Sequence, residues 1–238
     1  MPDMKKKFKK KDISLILDKL SKAYPEAGCA LEYDNKFHLL IAVVLSAQTT
    51  DVGVNKVTPR LWARYPDSAA LAHADRQEVE KIISSIGLYR SKAKNIISLS
   101  KSLQERLSKM SDKDRSACKN SPDNKDGVPS DFDELVKLSG VGRKTANVVL
   151  AEGFGEQRMP VDTHVFRVSN RIGMSSANDV FKTEEELKEL IPYDRLTESH
   201  HLLIWHGRKC CSARKPDCLN CPVFDHCNTG DFFLDIEK

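Results

Sequence analysis

Two stretches of the 238-residue sequence concentrate side chains able to do chemistry. Near the C-terminus Cys211, Cys218, Cys221 and Cys227 follow the pattern C-x6-C-x2-C-x5-C, and five of the seven cysteines fall within the last 29 residues. Disulfides are rare in intracellular proteins, so a tight cysteine group there points to metal. Four thiolates so close in sequence suit a tetrahedral zinc ion or a [4Fe–4S] cube. Zinc sites more often pair two C-x2-C knuckles, and this sequence has one, which favours iron–sulfur without excluding zinc. Cys210 is adjacent but out of register and is expected to lie outside the ligand set.

The second stretch is Leu138-Ser-Gly-Val-Gly-Arg-Lys-Thr-Ala-Asn-Val-Val-Leu150. Gly140 and Gly142 flank Val141 and allow a tight turn with positive φ between two helices. They leave backbone N–H groups bare at the start of the second helix, where the dipole favours an anion. A DNA phosphate fits such a nest without sequence preference, with Arg143 beside it. Lys144 falls in the first turn of that helix. The helix dipole and partial burial would both disfavour its ammonium form and so produce a neutral, nucleophilic amine. A lysine at this spacing that simply touches phosphate is the competing reading. Asp162 precedes another helical run (Val165, Phe166, Val168, Ile172). It reads as an N-cap, and the two roles coexist: a carboxylate held by helix N–H groups stays ionised and can stabilise positive charge nearby.

The elements that must position these groups are nearly all helical. An apolar stretch covers residues 37–47. Asp51 is placed to cap the next helix, which carries Val54, Val57, Leu61 and Tyr65 on one face, with Pro59 expected to kink or break it. Asp75 starts another, with Val79, Ile82, Ile83 and Ile86 inward and Gly87 as the stop. Residues 91–107 follow, and helices resume at Ser130, at 143–152, at 162–172, near 183–191 and at 197–206. Trp62 and Phe132 read as core; His200 and His201 read as helix surface or packing. Residues 108–127 are polar and almost free of apolar side chains, which predicts a flexible surface loop. No alternating strand pattern and no long-period repeat occur, so the expected class is all-α with a metal-bound tail.

Composition adds limits. The net charge is +4, but residues 5–11 (KKKFKKK) alone supply six lysines, leaving the rest at −2. Global charge is therefore a weak argument for nucleic acid. The run reads either as an electrostatic arm for phosphates or as a solvated terminus. No apolar run approaches the roughly 18 residues of a membrane helix, and the N-terminus lacks the apolar stretch and small-residue cleavage site of a secretory signal, so a soluble intracellular protein is expected.

The hairpin stretch followed by Val161-Asp162-Thr163-His164 resembles the helix–hairpin–helix DNA glycosylases, and among them the endonuclease III family. The likeness extends to Leu45-Ser-Ala-Gln-Thr-Thr-Asp51, to Ile86-Gly-Leu-Tyr89, and to His206-Gly-Arg208 with the cysteines after it, roughly residues 13–107 and 128–228. Long ordered blocks of this kind are far more specific than any short pattern. The resemblance implies a bifunctional DNA N-glycosylase and abasic-site lyase that removes oxidised pyrimidines from duplex DNA. It implies Lys144 as the attacking amine and Asp162 as the essential carboxylate. Gln48 and Leu88 would fill the hole left by the flipped nucleotide. His164 and Thr145 would line the base pocket, and Arg208, Arg214 and Lys215 would contact phosphates alongside the hairpin. The four cysteines would hold a [4Fe–4S] cluster of structural role.

It further implies a six-helix bundle over 29–156 that includes the hairpin. A second domain would join residues 1–28 to 157–238 and carry the cluster, with duplex DNA in the cleft between. The expected protein is a cytoplasmic bacterial monomer, nucleoid-associated when on DNA. Three departures stand out: Ser139 where the family commonly has proline, Pro59 within a helix, and the 108–127 insertion. The rivals are a monofunctional mismatch glycosylase, against which Lys144 speaks, and a non-catalytic DNA-binding module with a zinc tail.

Overall fold

The computed structural model describes residues 8–235, and among them every regular element is helical. The chain divides into two compact units. One comprises the residues up to Cys29 together with those from Gln157 onward; the other is Ala30–Glu156.

Helix α1 (Lys10–Ala23) opens the first unit. Its Ile13, Ile16, Leu17 and Leu20 recur at helical spacing and are completely buried. Each such side chain contributes roughly 2 kcal/mol by leaving water. Of the N-terminal lysine run, residues 5–7 lie outside the described residues. The remainder is not a loose arm: Lys9 is the N-cap of α1, Lys10 and Lys11 begin it, and Phe8 packs against the unit's core.

The middle unit holds α2 (Lys36–Leu45), α3 (Asp51–Arg64), α4 (Ser68–Ala72), α5 (Arg76–Ile82), α6 (Tyr89–Lys109), α7 (Asp112–Lys119), α8 (Phe132–Leu135) and α9 (Arg143–Phe154). Helix α2 is buried all round from Phe37 to Leu45, as an all-apolar helix must be, and serves as the axis of the unit. Gly153 lets α9 lie directly on it: a Cβ there would come within 3.0 Å of Leu39 Cδ2. Helix α9 is thereby mounted on the most buried segment of the unit. No described helix is long and apolar enough to cross a membrane.

Several expectations are corrected here. Thr50, not Asp51, caps α3, its hydroxyl accepting the Gly53 N–H at 3.1 Å. Helix α3 runs unbroken through Pro59 because Val54, Val57, Thr58 and Leu61 are buried on both sides of the missing hydrogen bond. Helix α5 ends at Ile82, short of Gly87, and Ile82 is only half-buried. Trp62 is half-buried and stacks on His38 at 4.0 Å, while Phe132 is half-buried beneath the Arg143 guanidinium; neither is a core residue. His200 is buried.

The 108–127 segment is not simply a loop. Ser111 caps α7, accepting the Asp114 N–H at 3.2 Å and donating to the Asp114 carboxylate at 2.6 Å. This helix buries no residue, so local caps hold it, and apolar periodicity could not reveal it. Its downstream end is tied to the bundle. Lys36 pairs with Asp123, and the buried Asp126 carboxylate accepts the Ser68 N–H at 2.7 Å. Asn124 and Val128 exchange two hydrogen bonds.

The first unit resumes with α10 (Thr163–Ile172), α11 (Val180–Leu190), α12 (Leu196–Lys209) and α13 (Gly230–Asp235). Its core joins Ile13, Ile16, Leu17 and Leu20 of α1 to Val165, Val168 and Ile172 of α10 and to Leu202 and Leu203 of α12.

Candidate functional site

The hairpin of the middle unit is built by one left-handed glycine and one open glycine. Gly140 sits at φ +81°, where a Cβ would press on Asn95 at 3.0 Å and Val44 at 3.2 Å. Val141 is buried beneath the turn, its N–H bonded to Leu138 O at 3.1 Å. Gly142 is different. It is extended (φ −95°), forms the N-cap of α9 with no side-chain cap, and a Cβ there would meet nothing within 4 Å. The expectation of positive φ thus holds at Gly140 alone; Gly142 instead keeps open the space before the first turn of α9. Ser139, which stands where proline was expected, donates its hydroxyl to Asn95 Oδ1 at 3.2 Å and ties the turn to α6.

Arg143, Lys144 and Thr145 occupy the first turn of α9. The Arg143 guanidinium lies 5.4 Å from the Phe132 ring centroid. Lys144 is exposed, not partly buried as the sequence suggested. Thr145 is half-buried.

Gln48 and Leu88 share an unusual property: among described non-glycine residues they alone have positive φ, +53° and +56°. Left-handed backbone costs a residue with a side chain on the order of 1 kcal/mol, and such strain gathers at functional sites. Both are exposed, Leu88 by 58% of its surface. Their loops are neighbours: a Cβ on Gly87 would stand 3.7 Å from the Gln48 carbonyl oxygen.

In the other unit Asp162 caps α10. Its Oδ1 accepts the N–H groups of His164 at 2.9 Å and Val165 at 2.8 Å. His164 is half-buried, and burial is the main reason its imidazole titrates below the ordinary range. Its Nδ1 lies 3.2 Å from Arg167 Nη2.

Two residues that the sequence did not single out organise the cysteine loop. Arg167 donates to the carbonyls of Gly207 and Cys211, both at 3.0 Å. Arg171 donates to Ser212 O and Ala213 O, both at 2.7 Å, and approaches Cys211 Sγ at 3.5 Å. The i, i+4 spacing of two arginines on α10, facing a loop rather than water, was the available signal. They hold a loop whose exposed tip carries Arg214 and Lys215; Arg208 is exposed at the end of α12.

All five C-terminal cysteines line one cavity with Arg171 and His206. Burial pushes the Cys218 thiol up to about 11 and raises Cys227. Cys221 is drawn down to about 5, chiefly because the Cys210 thiol donates to it, with His206 assisting. The ligand atoms of Cys210, Cys221 and His206 lie within 4.8 Å of one another, and His206 Nδ1 is 2.9 Å from the Tyr24 hydroxyl. Cys210, expected outside the ligand set, therefore lies beside Cys221 and His206 in space. The donor set is thiol-rich and has guanidinium and imidazole N–H groups near its sulfurs. That chemistry suits a thiolate-ligated metal centre.

Residues 41–193 match the family model described as HhH-GPD superfamily base excision DNA repair protein. Among curated proteins the chain is similar to the endonuclease III of Synechocystis sp., 45% identical over 224 residues, 93% of each chain. It is likewise similar to the endonuclease III of Rickettsia conorii, 44% identical, covering 94% of this chain and 98% of that one. Among solved structures it resembles a trapped endonuclease III–DNA covalent intermediate, with a TM-score of 0.83 and 41% identity over 96% of this chain and 100% of the other.

Proposed function

The chain belongs to the HhH-GPD superfamily of base excision DNA repair proteins and, within it, to the endonuclease III type of DNA glycosylase and abasic-site lyase; from that premise we propose that Lys144 is its attacking amine and Asp162 its working carboxylate. Oxidised pyrimidines in duplex DNA are the proposed lesions. The observation that carries the residue assignment is the start of α9. Lys144 is exposed there, in the first turn after an N-cap with open space before it, where a phosphate can dock on helix N–H groups.

Lys144 Nζ attacks the sugar C1′ as the glycosidic C1′–N bond breaks, and the base leaves with the bonding pair and takes up a proton. Asp162, held in place by two amide donors, stabilises the positive charge developing on the sugar. The amine then loses a proton and the C1′–O4′ bond breaks, O4′ taking up a proton, which gives a Schiff base between Nζ and C1′. Removal of a C2′ proton next breaks the C3′–O bond, and the strand is cut 3′ to the abasic site. Gln48 and Leu88 occupy the stack vacated by the flipped nucleotide. Arg143, Arg208, Arg214 and Lys215 contact phosphates, and His164 and Thr145 line the base pocket.

Cys211, Cys218, Cys221 and Cys227 would hold a [4Fe–4S] cluster. Bound there, it would order the loop and present Arg214 and Lys215 rigidly.

Borohydride trapping tests the assignment on duplexes carrying thymine glycol, uracil, an abasic site or an A·G mispair. A covalent adduct is expected with thymine glycol and the abasic site, and none in Lys144→Ala. Robust base excision without a trappable adduct would contradict it.

A further inference from the structure

One charged side chain of the middle unit is buried without an acidic partner. Lys92, in the first turn of α6, is 4% exposed. Its Nζ donates to Thr49 Oγ1 at 2.7 Å. A buried ammonium costs free energy, and burial lowers its pKa, so retaining it calls for a reason beyond packing. The Thr49 hydroxyl in turn faces the Ala47 carbonyl at 3.5 Å, and the Thr49 N–H bonds Ser46 O at 3.0 Å. Gly53 leaves room for the Thr49 methyl, which a Cβ at that position would meet at 3.1 Å.

Lys92 is also anchored to the second loop. Its backbone N–H bonds the carbonyl of Leu88 at 3.0 Å. One residue thus reaches both segments that carry a left-handed, exposed side chain: Leu88 through its backbone and the Gln48 turn through its side chain. Without that link, the strained conformations at Gln48 and Leu88 would have to be selected during binding, which weakens apparent affinity by the fraction of competent molecules.

We propose that Lys92 is a positioning residue for DNA penetration, fixing the Gln48 and Leu88 loops in register before the duplex arrives through its bond to Thr49. This rests on the reading of Gln48 and Leu88 as the residues that enter the stack.

The test uses full-length protein and a duplex with 2-aminopurine opposite the lesion, whose fluorescence rises when local stacking is broken. Lys92→Met removes the donor and the charge, and Thr49→Val removes the acceptor while keeping the shape. Each is expected to reduce the fluorescence rise and to slow lesion excision roughly tenfold, with a smaller loss on a single-stranded abasic oligonucleotide. The double variant is expected to be no worse than either single one, because both remove the same bond. Additive losses, a wild-type fluorescence rise in Thr49→Val, or equal losses on single-stranded and duplex substrates would overturn the proposal. Should the unaltered protein give no fluorescence rise with a lesion duplex, the stack-entry reading of Gln48 and Leu88 fails instead.

Discussion

Helices α9 and α10 begin with the same physical resource and use it in opposite ways. Each starts with N–H groups and a positive dipole end. At α10 the chain supplies its own anion, and Asp162 closes the first turn with two short hydrogen bonds. At α9 no side chain caps the first turn. Gly142 offers no side chain, and the space in front of it is open. One terminus is closed by a carboxylate cap; on the proposed reading the other receives a phosphate. On the proposed assignment, two ordinary helix starts divide the work of a DNA-processing enzyme, one securing a phosphate beside an amine and the other steadying a developing cation.

The contrast can be broken most severely at the closed terminus. Asp162→Asn keeps the cap, since asparagine caps about as well as aspartate, but carries no charge. Thermal stability should barely change, whereas base excision should fall on the order of 100-fold or more. An unchanged excision rate would leave Asp162 as a cap and nothing else.

The cysteine loop is the next point of attack. Cys221→Ser should lose bound iron and its visible absorbance, and DNA affinity should fall with it. Cys210→Ser should keep both, although Cys210 adjoins Cys221 and His206. Iron analysis of the two purified variants checks this, and loss of iron in Cys210→Ser would show that the ligand set differs from the proposed one.

At the open terminus two alanine variants separate fold from function. Gly140→Ala puts a side chain at φ +81° against Asn95 and should destabilise the protein by about 1 kcal/mol or more. Gly142→Ala should fold normally, yet its methyl would fill the docking space. DNA binding should weaken by about 1 kcal/mol, roughly fivefold in Kd. Equal affinity in Gly142→Ala would show that no phosphate docks there. The smallest effect belongs to the loop tip. Arg214→Gln and Lys215→Gln should each lower the slope of log affinity against log salt by about one.

Much of this was legible in the sequence where one residue type carries one physical meaning. Glycines marked the hairpin, an all-apolar run marked the buried axis α2, and clustered cysteines marked the cavity. The rest depended on partners distant in sequence. Lys92 sits in a polar run, Tyr89-Arg-Ser-Lys-Ala-Lys-Asn95, that reads as solvated surface, and only the fold brings Thr49 to it. Arg167 and Arg171 acquire meaning from carbonyls some forty residues away. Helix α7 escaped notice because it buries nothing, and Pro59 misled because packed neighbours outweigh one lost hydrogen bond.

The most direct test of the central claim is to locate the covalent bond itself. The protein is reduced with borohydride on an abasic-site duplex, digested with protease and nuclease, and the modified peptide is sequenced by mass spectrometry. The sugar remnant is expected on Lys144. A remnant on any other amine, or cleavage of the strand with no remnant at all, would contradict the account.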